Sequence, residues 1–340
     1  MIRSVSRAAL LYPTYNYRCF IFSAAARNLF APKQALFRGT GGGGVRLNIR
    51  AMAASVSSSS GKAYGEVQQE VKLLNGVYDN YGGVVVQMTE SMDSKLFASL
   101  IKSSLSHWKQ EGKKGVWIKL PIELVNLVEV AVKEGFWYHH AEPTYLMLVN
   151  WIPGGANSLP ANASHRVGVG AFVMNEKREV LVVQENRGRF RGTGIWKFPT
   201  GVVDQGEDIC KAVVREVKEE TSIDAEFVEV LSFRQGHQSF FGKSDLFFMC
   251  MMRPLSFDIQ KQETEIEAAQ WMLLEEYMAQ PFVQKEGHLK HIISICLAKL
   301  EGGYSGFSPV PTTSTFSDQD NYLYYNVVDL KRSDLKRSDI

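Results

Sequence analysis

Residues 201–223 read GVVDQGEDICKAVVREVKEETSI, and within them Glu216, Glu219 and Glu220 fall at i, i+3 and i+4 of an otherwise apolar-periodic segment. At about 100° per residue the three acids share roughly a third of a helix circumference. They lie on the side of Ile209, Ala212 and Val213, with Val217 at its edge. The spacing therefore predicts a helix whose carboxylates are crowded against a core edge. Like charges so placed repel, and a carboxylate moved toward an apolar interior is costly unless paired, protonated or bound to a cation. A solvated acidic face is the ordinary meaning of a charge run, and spacing alone leaves that reading level with a cation site. For a cation, all-oxygen donors suit a hard ion, Mg²⁺ or Mn²⁺, that keeps several waters and completes its shell from a phosphate-bearing substrate. Arg215 can neutralise and orient one carboxylate without competing for the metal.

The fixed positions are Gly201, Glu207, Arg215-Glu216, the aliphatic Val217, Glu219-Glu220 and the aliphatic Ile223. In that order and spacing they resemble the Nudix box. Ser222 stands where the family has a Gly that ends the helix, a place that suits positive φ. Ser222 is expected to strain that turn slightly without removing a ligand. GIWKFPTGVVDQGEDI, VEVLSFRQGHQSFFGKSDLFFMC and IQKQETEIEAAQWM further resemble plant Nudix hydrolases that cleave ADP-ribose and NADH, with similarity beginning near Leu73. The resemblance implies a Nudix α/β/α sandwich with a mixed sheet, preceded by a small βαβαβ acetyltransferase-like domain with a structural or dimer-forming role. It also implies a homodimer, a small-molecule nucleotide substrate and Mg²⁺-dependent hydrolysis of a nucleoside diphosphate linked to another moiety.

Diphosphate hydrolysis needs positioning and neutralisation of charge on nonbridging oxygens, which metal ions usually provide. Glu216, Glu219 and Glu220 are assigned as metal ligands, with Gly201, Glu207 and Arg215 supporting their geometry. The base that activates water varies in position among Nudix hydrolases. Glu265 is the first candidate, with Glu267 and Glu263 as rivals, and a solvated loop acid is the alternative for each. Lys197 and Arg187 are candidates for binding phosphate oxygens, or else surface cations. Phe240, Phe241, Phe247 and Phe248 could stack on adenine, although a buried Phe is the more frequent outcome. Some NADH-specific members carry a Ser-Gln-Pro-Trp-type array after the box. Only Gln280-Pro281-Phe282 resembles part of it, so the array is read as absent. ADP-ribose is accordingly the first substrate and NADH the second. The alternatives are a Nudix hydrolase of FAD, CoA or an oxidised nucleotide, and a catalytically weak ADP-ribose- or NAD-binding regulator.

A net charge of +2 over 340 residues conceals an asymmetry. Residues 1–52 hold eight basic residues and no acid, leaving 30 basic and 36 acidic residues in the remainder. A mildly acidic body argues against a nucleic-acid surface that works by phosphate neutralisation. Cys19, Cys210, Cys250 and Cys296 form no CxxC pair, so neither a zinc site nor a disulfide framework is expected. The Arg-, Ala- and Ser-rich leader, residues 1–62, has the composition of a transit peptide, for a chloroplast first and a mitochondrion second. A second start at Met52 would give a cytosolic product. Its most apolar piece, residues 20–26, is far shorter than the ~20 residues of a membrane span, and no membrane segment is expected.

Strands are predicted at 83–86, 115–119 and 145–151, alternating with helices at 91–108 and 122–133, the latter stopped by Gly135. This forms a first domain over 73–152. His139-His140 is not read as a metal pair, because adjacent strand residues face opposite ways; both are expected to be satisfied polar groups. After a Gly/Asn/Ser linker, a second domain over 164–301 has strands at 167–173, 180–184, 227–234, 246–252 and 268–272 and a closing helix at 289–300. Residues 302–340, ending in a duplicated LKRSD, read as a polar, solvated tail.

Overall fold

The computed structural model describes residues 72–314 and 317–331. The leader with its second start at Met52, and most of the duplicated LKRSD, lie outside the described residues. The chain divides between Ala163 and Ser164 into two compact units.

In the first unit a five-stranded sheet has the order β1-β2-β3-β5-β4. Its strands are β1 (Gly76–Tyr78), β2 (Val84–Gln87), β3 (Gly115–Pro121), β4 (Trp137–Glu142) and β5 (Tyr145–Trp151). β2 and β3 run parallel, joined through α1 (Ser94–Gln110). Asp93 starts α1 by accepting from the Lys95 and Leu96 amides at 2.8 and 3.3 Å, the usual N-cap device. Phe97, Ile101, Ser104 and Trp108 recur at helical spacing and are buried, with Val84, Val86, Val116 and Ile118 in the same core.

The structure departs from the expected βαβαβ order in three places. β1 is three residues long, too short to carry a periodic signal. The helix expected over 122–133 is a 3-10 turn, Ile122–Leu127, broken at Leu124 (φ −104°, ψ 24°), followed by α2 (Val128–Lys133). Its start follows Pro121 without a side-chain cap, and the Ile122 amide is drawn off to Thr144 O. β4 was not expected, and a register shift between Tyr138 and His140 removes the alternation that would put its two histidines on opposite faces. Instead their Nδ1 atoms lie 2.7 Å apart, while His139 Nε2 meets Pro160 O at 2.9 Å and His140 Nε2 meets the Tyr145 hydroxyl at 3.4 Å. Both rings are satisfied, but by each other and their neighbours.

The second unit is built on β6 (His165–Val173), β7 (Glu179–Glu185), β8 (Thr200–Val202), β9 (Ala225–Gly236), β10 (Ser244–Pro254) and β11 (Ile266–Leu273). The order β8-β6-β10-β9 is mixed, with β6 parallel to β10, and β7 pairs with β11. The helices are α3 (Ile209–Thr221), α4 (Leu274–Ala279), α5 (Pro281–Lys285) and α6 (Gly287–Leu300). Alternation along β6 sends Val169, Ala171 and Val173 toward Ala212, Val213 and Val217 of α3. Phe172, on the other face, joins Ile293 and Cys296 of α6. The unit is thus an α/β sandwich on a mixed sheet. Among the described residues no helix is long and apolar enough to cross a membrane.

Residues after Gly302 correct the expectation of a solvated tail. β12 (Ser308–Ser314) and β13 (Ser317–Tyr325) pair as a hairpin. Phe307 exchanges hydrogen bonds with Val230 at 3.0 and 2.8 Å, and Phe307 and Tyr324 pack on the α3 core. Polar composition hides these strands, in which Tyr324 is one of few described side chains packed on an apolar core.

α3 ends at Ser222 in the left-handed region (φ 60°, ψ 7°), its amide bonded to Lys218 O at 2.9 Å. A non-glycine residue there costs roughly 1–2 kcal/mol, partly offset by the flexibility Gly would add to the unfolded chain. Ser222→Gly is therefore expected to raise stability by about 0.5 kcal/mol in urea denaturation and to leave turnover unchanged; lowered stability would contradict the strain.

Candidate active site

β8 and α3 face each other at the box. Gly201 pairs with Val169 in the sheet, and a Cβ built on it would fall 1.8 Å from Glu216 Cδ. Only a glycine lets the Glu216 carboxylate lie against this strand. Arg215 grips Glu207 through two bonds of 2.8 and 2.7 Å. The same guanidinium donates to Glu216 at 2.7 Å, to Glu219 at 3.3 Å and to Val202 O at 2.9 Å. It was expected to orient one carboxylate and it engages three. Its hydrogen bond holds Glu207 below the usual carboxylate pKa. Glu207 also accepts from the Asp204 amide at 3.0 Å, tying the β8–α3 loop to the helix.

Burial pushes Glu216 upward against the opposing pull of Arg215. It pushes Glu220, 7% exposed, up to about 8. Glu220 lies beside the Thr200 main chain, and its Oε2 is buried without a partner. Among the described residues no three His, Cys, Asp or Glu side chains converge to enclose an ion, because Arg215 draws Glu216 and Glu219 to itself while Glu220 turns inward. The donor set still fits a hard divalent cation. The ligating atoms would all be oxygens, two of the carboxylates bear desolvation that a cation would relieve, and one oxygen awaits a partner.

Lys197 forms an ion pair with Glu185 and donates to Thr200 Oγ1 at 2.7 Å, beside Glu220. Glu185 was not anticipated from sequence; its signal is a charge closing the buried run VLVVQ. Glu185, Lys197 and Thr200 line a cleft with Phe190, Phe247, Phe282, Arg234 and His288. Phe190 and Phe282 meet edge to face at 5.3 Å, and the Arg234 guanidinium lies 5.2 Å from the Phe247 ring centre. Of the four expected aromatics only Phe247 reaches this cleft. Phe248 packs on the α3 core, Phe240 lies under Arg166 at 4.1 Å, and Phe241 is 89% exposed. Gln280-Pro281-Phe282, dismissed in the sequence, turns out to contribute. Gln280 bonds the Trp196 amide at 2.9 Å and its carbonyl at 3.2 Å, and Phe282 enters the cleft.

Arg187 is exposed and lines a neighbouring cleft with Arg191, Glu263 and Glu267, apart from Lys197. Glu265 is half-buried, and its carbonyl accepts from the Asn186 amide at 2.9 Å. Its loop reaches α3 through Gln262 N–H to Glu220 O at 3.0 Å.

The fold and the carboxylate site define an α/β sandwich that carries an acidic site fit for a hard divalent cation. Residues 164–291 match the NUDIX domain, and residues 74–152 match a profile described as Nudix hydrolase domain. The chain is 59% identical over 276 residues to Nudix hydrolase 2 of Arabidopsis thaliana, spanning 81% of this chain and 98% of that protein. It is 55% identical over 269 residues to Nudix hydrolase 10 of the same plant (76% and 95%). Human nucleoside diphosphate-linked moiety X motif 6 is 38% identical over 207 residues (58% and 65%). The chain belongs to the Nudix hydrolase family, whose members use divalent cations to hydrolyse nucleoside diphosphates linked to other moieties.

Proposed function

We propose that this protein hydrolyses the diphosphate of ADP-ribose, and NADH second, to AMP and a phosphorylated product. The observation that carries this reading is the orphaned Oε2 of buried Glu220, next to Lys197, which itself lines a cleft with several aromatic rings. Glu216, Glu219 and Glu220 would hold Mg²⁺ or Mn²⁺, which when bound supplies charge neutralisation to the diphosphate. Lys197, held by Glu185 and Thr200, presents a fixed positive charge to phosphate oxygens. Phe190, Phe247 and Phe282 offer apolar faces to a base. Glu265, on the loop beside Glu220, takes the proton of the attacking water. ADP-ribose precedes NADH because Gln280-Pro281-Phe282 forms only part of the array of NADH-specific members.

The test compares kcat/KM for ADP-ribose, NADH, NAD⁺, FAD, CoA and 8-oxo-dGTP with Mg²⁺. ADP-ribose is expected to lead. A preference above roughly tenfold, about 1.4 kcal/mol of transition-state discrimination, for FAD, CoA or the oxidised nucleotide would overturn the substrate assignment.

A further inference from the structure

β7 ends at Glu185, whose side chain lines the aromatic cleft, and the next residue does something different. Asn186 donates its amide to Glu265 O and its Nδ2 to Glu263 O, both at 2.9 Å. The loop so held is closed on itself by Ile266 N–H to Gln262 O at 3.0 Å. On its far side the same loop is fastened to the end of α3, through Gln260 N–H to Thr221 O at 2.9 Å and Gln262 N–H to Glu220 O at 3.0 Å. Where it rejoins the sheet, Ile266 opposes Glu185 and Ala268 opposes Gln184, so Glu267 is an extra, bulged residue. Bulges of this kind re-aim side chains and concentrate beside active sites. Glu263, Glu265 and Glu267, the three candidate bases, all lie on this segment.

We propose that Asn186 is a positioning residue for hydrolysis: it sets the base-bearing loop against the Glu220 end of α3. This rests on the assignment of the base to that loop. The main-chain bond to Glu265 O could come from any residue except proline, but the bond to Glu263 O needs a side-chain donor. The orientation of the amide is settled by that bond, because a flipped side chain would set its oxygen against the Glu263 carbonyl. In the orientation that donates, Oδ1 is left buried without a partner. A turn built for stability alone would leave neither end of the amide unpaired; holding the loop requires the donor and tolerates the orphaned acceptor.

The test uses the full chain with Mg²⁺ and the diphosphate substrate that wild type turns over best. Asn186→Ala is expected to lower kcat by roughly 10–100-fold, the scale of losing a group that orients catalytic residues, with KM within about threefold, since substrate binding is untouched. Amide hydrogen exchange of a peptide spanning residues 260–268, followed without metal or substrate, should be faster than in wild type. Asn186→Asp, which keeps the shape but as a carboxylate cannot donate, should behave like the alanine variant. Unchanged exchange in both variants would show that the side chain does not hold the loop. Faster exchange with normal kcat would show that the loop's position does not matter to the reaction. Full activity in Asn186→Asp would show the donor to be dispensable. A fall in kcat that merely tracks a lowered Tm, with KM raised in parallel, would reduce the residue to general stability. Each of these four results overturns the proposal. Failure of the base assignment is seen separately, as full turnover in Glu263→Gln, Glu265→Gln and Glu267→Gln alike.

Discussion

Glu220→Gln is expected to lower turnover by roughly three orders of magnitude, on the scale of the several kcal/mol that cation stabilisation supplies. It is also expected to make the metal-free protein more stable than wild type at pH 8. The two effects share one cause. Glu220 is buried beneath Glu185 and Glu216, whose negative charges add to the desolvation that pushes its pKa from 4.5 to about 8. The native state keeps a proton on Glu220 that the unfolded chain releases near 4.5, so unfolding sheds a proton between those values. Stability of the metal-free wild type must therefore fall as pH rises from about 5 to about 8. A glutamine has nothing to ionise, and its amide can donate toward the neighbouring carboxylates. The pH slope should flatten in the variant. Urea denaturation at pH 5 and pH 8 without metal, beside kcat with Mg²⁺, checks both halves. Turnover near the wild-type level would remove Glu220 from the metal site, and a pH slope as steep as that of wild type would show that Glu220 is not the group that holds the proton.

What could be read from the sequence follows from how local each signal is. The Glu216, Glu219 and Glu220 spacing lies within two turns of one helix, so periodicity located α3 and its buried face, while the left-handed Ser222 that ends it was expected only from the resemblance. The strands of the sandwich were legible because both faces of its sheet are covered, which leaves long apolar runs such as VGVGAFV and VLVV. The cleft was not legible. Glu185, Phe190, Phe247, Phe282 and His288 come from five separate segments; beyond the charge that closes the run at Glu185, and Phe247 as one of four candidate rings, nothing in their own neighbourhoods brings them together. β4 was missed because its register shift cancels alternation, and the β12–β13 hairpin because its strands are mostly polar. Arg215 shows the limit most plainly. Sequence adjacency suggested one partner, whereas the fold brings Glu207 across from the β8–α3 loop and gives the guanidinium three carboxylates.

Gly201→Ala should separate folding from catalysis. Gly201 is absent from the residues with positive φ, so alanine is compatible with the backbone, and the pairing of Gly168, Val169 and Gly170 with Val202, Gly201 and Thr200 uses main-chain groups alone. The atoms in the way are those of one side chain: the added methyl would sit 1.8 Å from Glu216 Cδ and 2.1 and 2.3 Å from its oxygens. The flexible glutamate must swing aside, leaving its 2.7 Å bond to Arg215, while Arg215 keeps its paired grip on Glu207. Stability is expected to change by no more than about 1 kcal/mol, as for a substitution that shifts only a side-chain end. Activity is expected to drop about 100-fold or more, because displacing a reacting group by an ångström has effects of that order. The assignment to Glu216 is checked by a double-mutant cycle. If alanine acts only through the displaced carboxylate, Gly201→Ala adds nothing to Glu216→Gln, and the two losses are non-additive. Additive losses would mean that the strand itself had moved, and wild-type activity in Gly201→Ala would mean that the Glu216 carboxylate does not need its place against β8.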